Sequence, residues 1–133
     1  LPVVAVGTGN PHAVVFLDAL QADAPSLDSV PWRRWGPALE HHPAFPNRTN
    51  VQFARVLGAT EVEIRIWERG AGETSASGSS SCGVAAAAVH TGRCAPGPVS
   101  VRMPGGLLHV TVGEDYELTL RGPVAPVARM QLV

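Results

Sequence analysis

Residues Glu68 to Cys82 read ERGAGETSASGSSSC, and their types and spacing suit the holding of an anion. The stretch joins an alternating run, Thr60 to Trp67, to an alanine-rich run, Gly83 to His90. Between the two lies a loop of small and hydroxylated residues with little bulk. Such a loop exposes backbone N–H groups at a helix start, where unpaired donors and the helix dipole favour negative charge. Glu68 and Arg69 stand at its entrance, and Glu73 sits inside it. Two other pieces carry polar groups beside apolar runs. Gly9-Asn10-Pro11-His12 puts an imidazole at the head of Ala13 to Leu17, where it needs a partner. Asn50 puts an amide directly before the apolar run Val51 to Leu57. Each piece also has an ordinary reading. Asn-Pro starts turns, Asn50 is a turn residue, Glu68 and Arg69 form a surface pair, and Ser79 to Ser81 cap a helix.

The elements that must position these groups follow from pattern. Pro2 to Gly7 and His12 to Asp18 read as strands around the turn Thr8-Gly9-Asn10-Pro11. Gln21 to Arg34, polar and marked by prolines, reads as a surface connection. Trp35 to His42 reads as a short helix that stops before Pro43. Val51 to Leu57 is an apolar strand. Thr60 to Trp67 sets Val62, Ile64 and Ile66 against Glu61, Glu63 and Arg65, the pattern of a half-buried antiparallel strand. Cys82 to Val89 has no polar face, which predicts a helix buried on every side. Val99 to Met103, Leu107 to Val112, Tyr116 to Arg121 and Pro123 to Gln131 read as strands, with hairpin turns at Gly105-Gly106 and Gly113-Glu114-Asp115. The sum is an α+β fold: a strongly curved, mostly antiparallel sheet of about eight strands wrapped round one buried helix, about residues 79–91.

Composition sets the outer limits. At 133 residues the chain is expected to form a single domain, 1–133, and its 45% hydrophobic and 16% charged content fits a packed core. A net charge of −1 gives no electrostatic footprint for nucleic acid and no basic patch for a membrane surface. All ten basic residues are Arg, so neither a lysine Schiff base nor a phosphate-loop lysine exists on this chain. No apolar window is long enough for a transmembrane helix, and LPVVAVGTGN reads as a strand and not a signal peptide. Across a helix, Cys82 and Cys94 would lie roughly 18 Å apart, too far for a disulfide. Two reduced thiols point to a cytoplasmic protein. The five His are scattered, and no metal site is expected.

Taken together, GNPHAV, RTNV and WERGAGET-SASGSSSC resemble the C-terminal half of the diaminopimelate epimerases, from Val4 to about Leu120 and in the same order. That family belongs to the amino-acid racemases and epimerases that work without pyridoxal phosphate. The resemblance implies a small amino-acid substrate and no cofactor, in keeping with the absence of lysine. Residue by residue, it makes Asn10 and Asn50 amides that bond the substrate's ammonium and carboxylate groups. Glu68 and Arg69 correspond to a pair that holds the distal part of the substrate. Gly78 and Ser79 correspond to the backbone donors that receive the α-carboxylate, while His12 and Glu68 correspond to positions that tune the acid/base groups.

Two departures from the family pattern weigh against full activity. The family's chemistry uses two cysteines on opposite faces of the α-carbon, one as base and one as acid. At the matching position, between Ala76 and Gly78, this chain has Ser77. A hydroxyl is a far weaker acid than a thiol and does not rest as an alkoxide without a strong neighbouring base. Cys82 lies more than a turn further on and matches a non-catalytic position. The second departure is length: the chain corresponds to the second of two like domains, so the N-terminal domain with the other cysteine is missing. Three readings stay open. The chain is one half of a diaminopimelate-epimerase-like isomerase in lysine and peptidoglycan precursor synthesis, inactive alone; or a one-cysteine, dehydratase-type relative; or a catalytically degenerate module whose uncovered face pairs two copies as a homodimer.

Overall fold

The computed structural model describes residues 1–20 and 25–133. Its elements run β1 (Val4–Gly7), β2 (Pro11–Phe16), α1 (Trp32–Glu40), β3 (Asn50–Gly58), β4 (Glu61–Glu68), β5 (Gly72–Thr74), α2 (Gly78–His90), β6 (Gly97–Met103), β7 (Gly106–Val112) and β8 (Leu118–Arg121). The strands form one sheet in the order β1-β2-β3-β4-β6-β7-β8, with β5 added against β4. The β2–β3 and β4–β6 pairs are parallel, and the others are antiparallel. The sheet curls round α2, which packs against β1, β2, β3, β6, β7 and β8. The expected α+β architecture and its central helix are therefore present.

The central helix forms where side chains are smallest. Ala85 to Ala88 and Gly83 are buried, so strands approach α2 closely from several sides. Around it Val14, Phe16, Ala54, Ile64, Ile66, Val101 and Val110 close the main core. The period-two pattern of β4 holds as read, with Val62, Ile64 and Ile66 buried and the residues between them half-exposed. β2 and β3 are apolar on both faces because each is covered twice. Their outward residues Ala13, Val15, Val51 and Phe53 form a second core with Leu27, Val30 and Trp32.

That second core corrects the sequence reading of Gln21 to Arg34 as a surface connection. Residues 21–24 lie outside the described residues, but Leu27, Val30 and Trp32 are buried. The short helix starts at Trp32, three residues before the expected Trp35, and ends at Glu40 rather than His42. Trp32 and Trp35 both lean on the Phe53 ring, at 6.2 and 6.3 Å between centroids, and this apolar anchoring outweighs the turn signals at Pro31 and Pro37. The expected strand Pro123 to Gln131 does not form. Pro123 and Pro126 lack backbone donors, no strand lies beside the segment, and it stays exposed. The eighth strand is instead β5, three residues inside GAGET where the sequence pattern predicts a loop. Tyr116 belongs to a turn with φ of 62°, so β8 starts only at Leu118.

Candidate active site

Ser77 is the N-cap of α2, with extended backbone at φ −158° and ψ 123°. Its hydroxyl accepts a bond from the Ser80 N–H at 3.2 Å, and its carbonyl accepts the Ser81 N–H at 3.1 Å and the Ser81 hydroxyl at 2.8 Å. The cap thereby satisfies one of the donors freed at a helix start, the Ser80 N–H, while the Ser81 N–H makes the first bond of the helix itself. The Gly78 and Ser79 N–H groups have no partner among the described residues. A Cβ at Gly78 would lie 2.9 Å from a methyl of the exposed Leu120 side chain, which would have to shift to admit it. Among the described residues the Ser77 side chain has only the Ser80 amide and, at 3.5 Å, the Ser79 hydroxyl as partners. No base touches it among the described residues, and its hydroxyl serves as the helix cap.

His12 finds the partners that its place in an apolar strand demanded. Gln52, fully buried on β3, donates one Nε2 hydrogen to His12 Nδ1 at 3.0 Å and the other to Ser80 Oγ at 2.9 Å. Turning the amide over would leave both of those hydrogens unpaired, whereas the present orientation leaves only Gln52 Oε1 without a partner. His12 therefore carries its proton on Nε2, which faces Thr8 Oγ1 at 2.9 Å and Asn10 Oδ1 at 3.0 Å. The Thr8 hydroxyl in turn donates to Asn10 Oδ1 at 3.1 Å. Asn10 is thus held with its oxygen occupied and its amide N–H2 open. Burial, and next the positive charge of Arg69, push the His12 pKa down to about 4, so the ring is neutral near pH 7.

Asn50 joins the Asn10–His12 corner to the Glu68–Arg69 turn. It pairs with His12 across the β2–β3 register, donates from Nδ2 to Pro11 O at 3.2 Å, and accepts the Arg69 N–H on Oδ1 at 2.9 Å. One Nδ2 hydrogen is left for a ligand. Arg69 reaches back to Asn47 O at 3.1 Å, while Glu68 accepts from the Thr74 hydroxyl at 3.0 Å. Glu68 and Arg69 make no ion pair with each other among the described residues. Glu73, the other acid of this stretch, is bound by both ends of the Arg33 guanidinium at 2.8 and 2.9 Å and serves to hold β5 against α1.

The structure ties Ser77, His12, Asn10, Asn50 and Arg69 into two hydrogen-bonded networks and leaves Gly78 and Ser79 outside them. One runs from Ser77 through Ser80, Gln52 and His12 to Asn10; the other runs from Asn50 to Arg69, and Glu68 stands one step outside through Thr74. An open cavity of about 520 Å³ is lined by Thr8, Gly78, Ser79 and Cys82, with Tyr116, Leu118 and Leu120 on its far side. Cys82 is only half-buried, so α2 is not covered on every side as expected. Burial still pushes the Cys82 thiol above its ordinary pKa, which favours the protonated thiol over the thiolate. A second cavity of about 470 Å³, lined by Trp35, Leu39, His42 and Phe45, lies under α1 and gathers no convergent polar groups. Among the described residues no cluster of three or more His, Cys, Asp or Glu could hold a metal. No helix among the described residues is long and apolar enough to cross a membrane.

Sequence reading missed Thr8, Gln52 and Ser80 as members of the network. Gln52 was detectable, being an amide inside the apolar run VQFARVL. Glu40 was missed too, although an acid at the C-terminal end of a helix opposes the dipole and asks for an explanation.

A family model described as diaminopimelate epimerase matches residues 4–126. The diaminopimelate epimerase of Desulforudis audaxviator is 50% identical over 126 residues, covering 94% of this chain and 42% of its own length. That of Synechococcus sp. JA-3-3Ab is 45% identical over the same shares of the two chains. That of Ectopseudomonas mendocina is 42% identical, covering 98% of this chain and 45% of its own. The chain therefore spans less than half the length of these relatives. A PhzF-family phenazine biosynthesis protein from Bacillus anthracis superposes with a TM-score of 0.58 at 18% identity, over 89% of this chain and 37% of that one. A putative phenazine biosynthesis PhzC/PhzF protein from Clostridium difficile gives the same score and identity over 84% of this chain and 39% of that one. These two likenesses show the fold alone. With the identity to the epimerases spread over almost all of its residues, the chain belongs to the diaminopimelate epimerase family.

Proposed function

We propose that this chain is the carboxylate-holding half of a diaminopimelate-epimerase-like isomerase and that it does not invert its substrate alone. The observation that carries this reading is the start of α2. Ser77 caps the helix, and the Gly78 and Ser79 N–H groups face an open cavity without partners. An α-carboxylate placed there gains from both donors and from the dipole, by roughly 0.3–1 kcal/mol when exposed and up to about 2 kcal/mol when partly buried. The open Asn10 amide and the last Asn50 hydrogen supply further polar contacts, and Arg69 with Glu68 meets the distal end. What the site lacks is an acid/base. Ser77 has no base beside it, His12 is neutral and fully hydrogen-bonded, and Cys82 is held as a thiol. Inversion needs a proton removed from one face and delivered to the other. A second domain supplies the opposite face, and a cysteine in place of Ser77 would supply this one.

The test is a titration of the ¹⁵N-labelled chain with meso-diaminopimelate, together with α-proton exchange in D2O. Amide shifts at Gly78 and Ser79 with no exchange are expected. Exchange catalysed by this chain alone, or unmoved Gly78 and Ser79 amides, would sink the proposal. One observation favours a pairing module as a second reading: Val124, Val127, Met130 and Leu132 are each more than 90% exposed. A dimer that dissociates when these residues are removed would support it; a monomer at high concentration counts against it.

A further inference from the structure

We propose that Glu40 is a positioning residue whose carboxylate holds the Glu68–Arg69 turn in shape for the site, an inference that rests on the functional reading above. Glu40 is the last residue of α1 and is only 4% exposed. A buried carboxylate at the negative end of a helix is unfavourable unless it is fully bonded. Here Oε1 accepts the Gly70 N–H at 2.8 Å and the Arg48 Nη1–H at 3.4 Å, while Oε2 accepts the Trp67 indole N–H at 2.9 Å. Trp67 and Gly70 are the residues on either side of Glu68 and Arg69. A single side chain therefore pins both ends of the segment that carries the distal-end pair.

The surroundings show why this contact sets a shape. Gly70 has φ of 78°, a turn conformation that glycine adopts freely, and Arg48 has φ of 61°, which is strained for a residue with a Cβ. The strained Arg48 lies between Asn47 and Asn50, the two residues that bond the side chain and the amide of Arg69. Gly36, one turn before Glu40 on the same face of α1, is seated directly on Trp67, where a Cβ would come within 2.7 Å of the ring. The helix cannot slide along the indole, so the carboxylate sits at a fixed distance from the turn. The other ionisable groups facing it are Arg48 and His41, the latter at 3.9 Å. Burial raises the Glu40 pKa, but the Gly70 and Trp67 donors with these two neighbours outweigh it and leave the group below its ordinary value.

Glu40→Gln tests this in the intact chain. The amide offers one oxygen and one N–H2 to three donors, so one N–H faces another. Amide exchange at Arg69 and Gly70 is expected to accelerate roughly 10- to 100-fold, the counterpart of an unpaired buried donor, while Val15 and Phe53 keep their protection. Removing the indole donor as well, in E40Q/W67F, takes away the clash and is expected to restore most of the Gly70 protection. In the diaminopimelate titration, E40Q is expected to lose the Arg69 response and keep that of Gly78. Unchanged exchange at Gly70, or an equal loss of protection at Val15 and Phe53, would overturn the assignment and leave Glu40 a general packing residue. If the wild-type chain ignores diaminopimelate while the exchange pattern holds, the functional reading fails and the hold of Glu40 on the turn stands.

Discussion

His12 shows how much a single buried ring can reveal. In the fold its pKa lies at about 4, against an ordinary 6.5, with burial as the main cause and Arg69 second. A base depressed on folding gives the unfolded chain the greater proton affinity. No penalty exists above pH 6.5; it grows as pH falls toward 4, to about 3 kcal/mol at one to two kcal/mol per pH unit. Urea unfolding at pH 7 and pH 5 is expected to show about 2 kcal/mol of this loss in the wild type and its absence in His12→Gln. Equal pH slopes in the two proteins would refute the assignment. Gly83 bears on the same ring, because a Cβ there would lie 3.1 Å from His12 Cγ. Gly83→Ala gains about 0.5–1 kcal/mol of helix propensity but meets an overpacking cost of roughly 1–3 kcal/mol, so a net loss near 1 kcal/mol is expected in urea melts at pH 7. The sequence already marked His12 as needing a partner. It could not name Gln52, forty residues away, because that contact exists only once β2 and β3 lie side by side in parallel register.

At the scale of elements, local pattern succeeded where one face or one composition dominated. The period of β4 and the alanine run of α2 were legible because each repeats over several residues. The start of α1 was not, since Pro31, Arg33 and Arg34 look like turn and surface while Trp32 is drawn into the second core by Phe53. β5 was not legible either, for three residues carry no period and exist as a strand only by pairing with β4. The helix start gives a direct prediction. At the Ser77 cap, a thiol would lie beside unpaired N–H groups at the positive end of α2, which stabilises a thiolate. In Ser77→Cys the new thiol is expected to titrate below the ordinary ~8.5, roughly at 7 or lower. Cys82, one turn on and raised by burial, is the internal reference. The pH dependence of iodoacetamide labelling, read peptide by peptide, checks this. If the introduced thiol reacts no faster than Cys82 at pH 7, the helix start does not act on the cap side chain.

At the scale of the whole molecule, the question is where the self-sufficient fold stops. The curled sheet and its helix close through β8: Leu118 packs on the main core, and Gly122 lies so near Leu108 that a Cβ there would come within 2.5 Å of it. Beyond that point nothing is held. Val124, Val127 and Met130 are 96%, 95% and 92% exposed, and the prolines at 123 and 126 prevent the segment from adding to the β8 edge as a regular strand. A side chain that stays in water on folding contributes no burial energy, so a chain ended after Gly122 is expected to match the full chain within about 0.5 kcal/mol by urea melt. Its solubility should rise, because several apolar side chains leave the surface together. A stability loss well beyond that margin would mean that the tail packs on its own domain. Equal stability with weaker self-association would instead assign those residues to a partner, the role that the half-site itself leaves open.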